Sequence, residues 1–507
     1  MKRSAPSLCV SILILVSVVV IAFRAAPFLG FVDYDDPVAV LRPELRGGLT
    51  GEALRFAFTE SPARLWHPLT FLSHACDFEL FGTWAGGHHL SSVLFHLATS
   101  ILLLFWLRRE TGEGAKSLCV AVVFAVHPLR VESVVWISER KDVLSVFFIL
   151  LTLVFYSLWA RKAKGRRALC YYGLAFLAGI GGLLSKPSLM VLPGVLLLAD
   201  FWPLARFPVE DWRKVKVWWQ RIREKVPFLF LALVAALVAW STWSGEQQFA
   251  EAGGIGLFSR VGFASLAYLS YLWRTFVPLD LVAFQSYPLN LSPFLLAGAV
   301  GTVSIFTVLA MRSRELRPWI TVGWLWFLGA ILPGSGFVTI SDHFAPDRYT
   351  YLAHVGFLAG LVWLLGEFGR RSRISARAGS IVFIGVALFL THLTHRQTLT
   401  WKDSESLWGH ALEAKGPNYL VMNQFAMARL SGGRTEEALK MLREAVDAFP
   451  EQSVPKVNLA MALARSGQLD KAISTFRSAG SGIVGKGALR LQLIRLCAAA
   501  GKNDLAA

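Results

Sequence analysis

Long apolar runs separated by short basic segments constrain the fold of this chain more than any other feature. A helix needs about 17–25 residues to cross a hydrocarbon core of ~30 Å. Eleven runs approach that length, at 7–29, 89–107, 117–136, 142–160, 168–184, 187–203, 226–243, 294–311, 318–335, 350–367 and 379–396. A hydrophobic fraction of 54% agrees with them and excludes a water-soluble globule. The predicted fold class is therefore all-α, with a polytopic membrane helix bundle of about eleven transmembrane helices.

The basic segments predict the orientation of this bundle. They lie at 108–109, 161–167, 206–225, 312–317 and 370–377. Short loops rich in Lys and Arg stay on the cytoplasmic side. All five segments fall on that side when the N-terminus is cytoplasmic and a weaker apolar run at 259–277 does not span. The external loops are then 30–88, 127–142, 244–293 and 336–349, and 259–277 is interpreted as an interfacial or re-entrant helix.

Charge and cysteine usage exclude several classes of function. The net charge of +17 comes largely from the loop segments, so it predicts contact with anionic membrane lipid and no nucleic acid. The five cysteines are far apart without metal-ligand spacing, which argues against a disulfide framework. Arg24 interrupts the region where a signal peptide would be cleaved, so we expect an uncleaved first helix.

Residues 399–507 form a second predicted domain with a 34-residue repeat. Ala426, Gly433 and Ala438 recur as Ala460, Gly467 and Ala472, and Gly501 and Ala506 continue the spacing. Small residues where paired helices touch and a glycine in the turn between them are typical of tetratricopeptide repeats. We expect about three repeats in a short α-solenoid. Such arrays usually bind peptide segments and sometimes only pack against a neighbour.

An acidic cluster follows the first apolar run. Asp33, Asp35 and Asp36 have no Lys or Arg within five residues on either side. Carboxylates beside a bilayer can occupy a water-filled cleft and take a proton from a substrate hydroxyl. The alternative is a solvated acidic turn that ends at Pro37.

Charged residues also bracket the predicted loop 127–142. One group runs from His127 to Ser133, and the other from Glu139 to Asp142. If 131–143 is one helix, Glu132, Glu139 and Arg140 project from the same face. The alternative is that the basic side chains extend to the membrane surface and pair with their acidic neighbours.

A third polar segment, 341–351, precedes a late apolar run. Arg348 suits a phosphate because its guanidinium is planar, permanently charged and able to donate two hydrogen bonds at once. An Asp347–Arg348 pair within an aromatic belt is the alternative. The sequence contains no nucleotide-binding glycine loop and no HExxH or CxxC motif, so no soluble cofactor is predicted. A divalent metal on Asp33, Asp35 and Asp36 is less favoured than a site without metal.

Together these segments resemble the transmembrane and tetratricopeptide-repeat O-mannosyltransferase family and its bacterial relatives, in the GT-C glycosyltransferase superfamily. The residues that carry the resemblance are 32–36, 127–132, 139–142 and 347–351, with the repeats at the end. The resemblance implies transfer of a sugar, mannose in the eukaryotic members, from a polyprenyl-phosphate carrier to an acceptor on the external face. It also implies inversion, and for this chain the bacterial inner membrane with periplasmic repeats that bind a protein or glycan acceptor.

The resemblance implies an aspartate base in the first external loop, which matches Asp35 or Asp36, with Asp33 as the third candidate. We expect Arg140, Arg348, Lys186 and His127 to bind the donor phosphate. Glu132, Glu139 and Asp142 are expected to orient these groups, and His67, His89 and Tyr351 to line the acceptor cleft. Retention through a carboxylate nucleophile is the alternative to inversion.

Two other classes of function are compatible with parts of the sequence. A membrane-anchored repeat scaffold would bind partners and would not need the external carboxylates. A lipid or glycan transporter would need polar residues near the middle of the bilayer and repeated spans, whereas the sequence shows no clear membrane repeat and no mid-span charges beyond Arg24 and His96.

Overall fold

A computed structural model describes residues 6–62, 66–162, 164–207, 214–243, 256–288, 291–337 and 343–479. These residues form helices and turns without a strand among them, so the all-α prediction is confirmed. The chain divides into two compact units. The first comprises Met1–Gly30, Asp35–Leu281 and Tyr287–Leu399, and the second comprises Phe31–Tyr34, Val282–Ser286 and Thr400–Ala507. The sequence did not predict that the two short segments belong to the second unit.

The first half of the first unit contains ten α-helices in its described residues. They are α1 (Leu8–Ala22), α2 (Asp36–Ala39), α3 (Pro43–Arg46), α4 (Gly51–Thr59), α5 (Pro68–Phe81), α6 (Ala85–Thr111), α7 (Gly114–Val126), α8 (Val131–Val135), α9 (Arg140–Lys162) and α10 (Gly165–Ser185). Short 3-10 turns at Ala26–Phe28, Pro128–Arg130 and Ile137–Glu139 connect some of them.

The second half of this unit continues the helical pattern. Its helices are α11 (Leu192–Phe201), α12 (Val215–Arg223), α13 (Val226–Trp243), α14 (Leu257–Phe276), α15 (Pro293–Arg312), α16 (Pro318–Ile331), α17 (Thr350–Arg371) and α18 (Ala376–Leu399). Three 3-10 turns, Pro187–Val191, Leu332–Gly334 and Asp347–Tyr349, lie directly before or after helices.

The apolar helices indicate an integral membrane protein. Among the described residues, seven helical stretches are long and apolar enough to span: Leu8–Phe28, Ala85–Thr111, Ile137–Arg161, Gly165–Ser185, Pro293–Arg312, Asp347–Arg371 and Ala376–Leu399. An eighth arises if Gly114–Val126 and Pro128–Val135, which meet at a 61° bend, cross together. Three shorter apolar helices coincide with the remaining predicted runs, at Leu192–Phe201, Val226–Ser241 and Pro318–Gly334. The run at 259–277 forms α14, which is not one of these stretches.

Helices α16 and α17 approach each other closely at two glycines. A Cβ atom on Gly360 would lie 2.7 Å from the Trp319 carbonyl oxygen, and one on Gly323 would lie 2.9 Å from the Gly356 carbonyl oxygen. Small residues are typical of membrane helix crossings because they let the two backbones come together. This crossing fixes α17, and the preceding turn Asp347–Tyr349 leads directly into that helix.

A buried ionic network joins α9, α11 and the start of α13. Asp200 is 0% exposed and accepts from the Tyr156 hydroxyl at 2.9 Å and from Arg206 at 3.0 Å. Lys225 also pairs with Asp200, and Glu224 pairs with Arg206 at 2.8 Å. The network belongs to the end of the bundle that the basic loops predict to be cytoplasmic.

The second unit contains the repeat helices. They are α19 (Ser404–Lys415), α20 (Tyr419–Ser431), α21 (Thr435–Ala448), α22 (Ser453–Arg465) and α23 (Leu469–Ser478). The recurring small residues Ala426, Ala438, Ala460 and Ala472 are all 0% exposed, as the repeat pattern predicted.

The turns of the repeats depend on glycine. Gly433 and Gly467 have φ angles of +81° and +80°, a left-handed conformation that glycine adopts without a steric penalty. The predicted continuation at Gly501 and Ala506 lies outside the described residues.

Candidate active site

The three aspartates after the first helix lie in different environments. Asp36 begins α2, is 1% exposed, and accepts a hydrogen bond from the Ser138 N–H at 3.1 Å. Asp33 is exposed and belongs to the second unit, where its N–H donates to Ser404 Oγ at 2.7 Å. Asp35 is half-buried in the first unit. Of the three, Asp35 has the surroundings of a general base.

Charges from two distant segments act on Asp35. Burial, the largest effect, raises the pKa of this carboxyl above its ordinary value of 3.8, and Glu139 raises it as well. Lys141 and Arg348 oppose the rise in pKa. A carboxylate with a raised pKa is a stronger base than an ordinary aspartate. The arrangement therefore suits proton removal from a hydroxyl.

Two glutamates hold Arg348 in place. Its backbone N–H donates to Glu132 Oε2 at 3.0 Å, and its Nη1 donates to the other oxygen of the same carboxylate. Its Nε lies 3.5 Å from Glu139 Oε1, which also accepts from Lys141 Nζ at 2.7 Å. The guanidinium carbon lies 5.6 Å from the centre of the Trp136 ring. Glu132 and Glu139 thus pair with two cations, Arg348 and Lys141.

Lys186 provides a further positive charge beside Asp142. The two side chains form an ion pair, and Ser133 Oγ donates to the second oxygen of Asp142 at 3.3 Å. Burial alone would lower the pKa of Lys186, but Asp142 and then Glu139 outweigh burial, so its pKa is raised. The ammonium group therefore stays charged at neutral pH.

These charges border a cleft with an apolar wall. Asp142, Lys186 and Arg348 line it together with Val146 and Leu352. Cations beside an apolar surface can hold an anionic headgroup while its hydrocarbon tail remains against the wall. The cleft therefore has the chemistry of a site for a lipid phosphate.

Arg140 is not among the residues that line this cleft. The helix expected over 131–143 is interrupted at Trp136, whose ψ angle of 110° is extended. Arg140 is 0% exposed. Its guanidinium forms an ion pair with Asp77 at 2.5 Å and donates to the His88 carbonyl at 2.7 Å and to Ser92 at 3.1 Å. These contacts occupy the guanidinium between α5, α6 and α9, and the structure does not bring it into the lining of this cleft.

The predicted histidines also separate into two groups. His127 Nε2 lies 2.9 Å from the Thr275 carbonyl oxygen, and His89 Nε2 lies 3.2 Å from that of Gly30. Both rings are buried and are used in packing the helices. The structure does not bring either of them into the lining of the cleft.

His67 and Tyr351 lie closer to the charged cluster. His67 is buried, and neither ring nitrogen has a hydrogen-bond partner among the described residues. Burial, followed by Lys141 and Lys186, lowers the pKa of His67 well below its ordinary value, so the ring is neutral. Tyr351 lines the cleft, and its hydroxyl lies 2.7 Å from His96 Nδ1.

Sequence reasoning missed three contributors. Lys141 was not among the predicted site residues; it pairs with Glu139, as the alternative for this loop allowed. Tyr349 lines the cleft, and its ring centre lies 5.7 Å from Lys186 Nζ. Arg274 of α14 pairs with Asp347 at 2.6 Å. Its position in a helix that the sequence predicts to be interfacial was the signal that could have identified Arg274.

Known proteins resemble both parts of the chain. A family model described as "Tetratricopeptide repeat" matches residues 429–481, so the repeat prediction is confirmed. Protein O-mannosyl-transferase Tmtc3 of Drosophila melanogaster is 23% identical over 461 residues, covering 76% of this chain and 49% of that protein. Protein O-mannosyl-transferase TMTC1 of Mus musculus is 21% identical over 499 residues, covering 78% and 52%.

Among solved structures, ArnT from Cupriavidus metallidurans bound to undecaprenyl phosphate has a TM-score of 0.42 and 16% identity. That likeness covers 95% of this chain and 80% of ArnT. This chain spans about half the length of the curated relatives it matches.

Proposed function

Because this chain is a relative of the protein O-mannosyl-transferases, we propose that it is a membrane glycosyltransferase of the GT-C type. It transfers a sugar from a polyprenyl-phosphate donor to the hydroxyl of an acceptor. The observation that carries this proposal is that Arg348 both acts on the Asp35 carboxyl, together with Lys141 and Glu139, and lines a cleft with an apolar wall beside Lys186. Mannose is the first sugar to test, since the relatives are named for it.

The proposed reaction is a single displacement. Asp35 removes the proton from the acceptor hydroxyl, and the oxygen attacks the anomeric carbon of the sugar. The bond from that carbon to the phosphate oxygen breaks, and its electron pair leaves with the lipid phosphate. The configuration at the anomeric carbon is inverted, and the proton remains on Asp35 until it passes to solvent.

Arg348 and Lys186 stabilise the leaving phosphate. Negative charge grows on the phosphate as the bond breaks, and fixed cations in a site with little water stabilise such charge strongly. Glu132 and Asp142 hold these cations, so they do not need to reorganise during the reaction. Lys141 pairs with Glu139, and its positive charge lowers the pKa of Asp35.

The proposal includes a location and an acceptor class. The bundle lies in a bacterial inner membrane with its N-terminus in the cytoplasm, and the repeats are periplasmic and bind a protein or glycan acceptor. No soluble cofactor takes part in this scheme, and the lipid-linked sugar is the donor substrate.

The test compares Asp35→Asn with Asp33→Asn in the full chain. Glycoconjugates from cells that express each variant are measured by mass spectrometry, together with turnover of labelled polyprenyl-phosphate mannose by the purified protein. Loss of the general base should reduce transfer about 10²–10⁴-fold in D35N. D33N should behave as wild type, because Asp33 makes its hydrogen bonds to Ser404 and Gln424 through its backbone. Equal transfer by D35N and wild type would favour the scaffold.

A further inference from the structure

A second group of buried polar side chains lies where α5 meets α6. His74, Asp77 and His88 each place one ring nitrogen or carboxylate oxygen within 4.8 Å of the other two. Their exposed fractions are 1%, 3% and 0%. We propose that these three residues bind a divalent transition metal ion, and that zinc suits the donor set best. This proposal does not depend on the proposed sugar transfer.

The hydrogen bonding of His88 identifies one ligand atom. Its Nε2 lies 3.1 Å from the Gly82 carbonyl oxygen. A carbonyl only accepts, so Nε2 carries the proton and Nδ1 presents a lone pair when the ring is neutral. That nitrogen lies 3.5 Å from Asp77 Oδ2. A neutral ring therefore points a lone pair at a carboxylate oxygen, an arrangement that a cation between the two atoms stabilises.

His74 provides an independent indication of a ligand. Its Nδ1 is buried without a hydrogen-bond partner among the described residues. A buried polar atom that lacks a hydrogen-bond partner is destabilising. Neutral imidazole nitrogens are the commonest protein ligands for transition metals. A bound ion that takes Nδ1 of His74 as its ligand atom would satisfy this nitrogen.

Asp77 retains the capacity to bind a metal. Its Oδ1 accepts from Ser91 Oγ at 2.6 Å, and its Oδ2 forms an ion pair with Arg140 at 2.5 Å. Each carboxylate oxygen has two lone pairs, so Oδ2 can bind an ion while Arg140 remains an outer partner of the carboxylate. Outer partners of this kind commonly orient metal-binding side chains.

The chemistry and spacing favour zinc. Two imidazoles and one carboxylate form a common zinc donor set, with water in the fourth tetrahedral position. Zinc–ligand bonds of about 2.0–2.1 Å place neighbouring ligand atoms roughly 3.4 Å apart in a tetrahedron. The separation of 3.5 Å between His88 Nδ1 and Asp77 Oδ2 matches that value.

A metal here would act on the structure around α9. Arg140 is the first residue of α9, and it follows Glu139 and precedes Lys141, which pair with each other. A metal on Asp77 would fix α5, α6 and the start of α9 relative to one another. The role of this ion is therefore structural.

The test measures metal in the full chain, purified without a histidine tag. The protein is stripped with EDTA, reloaded with Zn²⁺ and analysed by inductively coupled plasma mass spectrometry. Wild type should retain about one equivalent, and His74→Gln and His88→Gln should lose it. His392→Gln, which removes an exposed histidine of α18, should retain it. The proposal is overturned if folded wild type holds no more zinc than H74Q.

A second measurement avoids dependence on the folding of the variants. Stripped wild type is loaded with Co²⁺, and its visible absorption spectrum is recorded. Intense bands typical of tetrahedral cobalt with nitrogen and oxygen ligands support the proposed site. An octahedral spectrum, or cobalt that remains free in solution, contradicts it.

Discussion

Arg348 donates hydrogen bonds to both carboxylate oxygens of Glu132, one from its guanidinium and one, at 3.0 Å, from its own backbone N–H. The two residues are 216 positions apart in the chain. Glu132 therefore fixes both the side chain of Arg348 and the turn Asp347–Tyr349 that carries it. A guanidinium held in this way keeps a fixed orientation in the lining of the cleft.

Replacing Arg348 by Ala should reduce kcat/KM for polyprenyl-phosphate mannose about 10²–10³-fold, since one fixed cation is lost from the leaving group. Arg348→Lys should recover only part of this loss, because an ammonium group cannot reproduce the planar fork. The control is Arg371→Ala, whose side chain is 70% exposed. Unchanged kcat/KM in R348A would remove Arg348 from the mechanism.

The acid side of the pH–rate profile should report the raised pKa of Asp35. The base must be ionised, so kcat/KM should rise with pH through a pKa above 3.8, the ordinary value. Glu139→Gln removes a negative charge that raises this pKa, so the rise in rate should move to lower pH. Lys141→Met removes a positive charge that lowers the pKa, so the rise should move to higher pH.

The opposite directions of these two shifts are the control for general damage to the site. Each variant is compared with wild type by measuring kcat/KM from about pH 4 to pH 8, a range that brackets ordinary and raised carboxyl pKa values. If both variants shift the profile the same way, a group other than Asp35 limits the rate.

The sequence predicted the parts of this structure that depend on periodicity. Apolar length identified the membrane helices, and a 34-residue spacing identified the repeats. The position of charged residues at the ends of apolar runs also identified Glu132, Glu139 and Arg348 as candidate site residues. The structure brings these three side chains together. These features could be predicted because each depends only on a local sequence pattern and on the position of the membrane boundary.

Side-chain direction within the charged segments could not be predicted. The sequence favoured Arg140 over Lys141 on the assumption of one continuous helix over 131–143. The interruption at Trp136 changes the helical phase, so Arg140 pairs with Asp77 and Lys141 with Glu139. The burial of individual aspartates could not be predicted either. The sequence places Asp33, Asp35 and Asp36 in one cluster and does not show that Asp33 is exposed while Asp36 is buried.

The crossing of α16 and α17 should be intolerant of side chains at Gly360. Gly360→Val introduces a Cβ atom 2.7 Å from the Trp319 carbonyl oxygen, so the two backbones must separate. We expect a loss of about 1–3 kcal/mol in the free energy of unfolding, as for other overpacked sites. The measurement is unfolding of the purified protein in mixed detergent micelles.

Gly369 provides the matched control for this prediction. It lies on the same helix, and nothing stands within 4 Å of a Cβ atom built on it. Gly369→Ala should leave the protein as stable as wild type or up to about 1 kcal/mol more stable, because alanine favours helix. If G360V is as stable as G369A, close packing at this crossing does not contribute to stability.

The ionic network around Asp200 should be a major contributor to stability. Asp200→Asn removes the carboxylate that Lys225, Arg206 and Tyr156 share and leaves two cations without this counter-charge. Breaking a buried ion pair from one side destabilises by about 3–5 kcal/mol.

The control for this prediction is Asp280→Asn, because Asp280 is exposed. Its φ angle of 52° is a left-handed conformation that asparagine also adopts. Adding Lys225→Met to D200N removes one of the two cations, so the double variant should regain part of the lost stability. Unfolding in mixed micelles measures all three variants. If D200N is no less stable than D280N, the buried charges are solvated in the native protein and the network does not hold α9, α11 and α13 together.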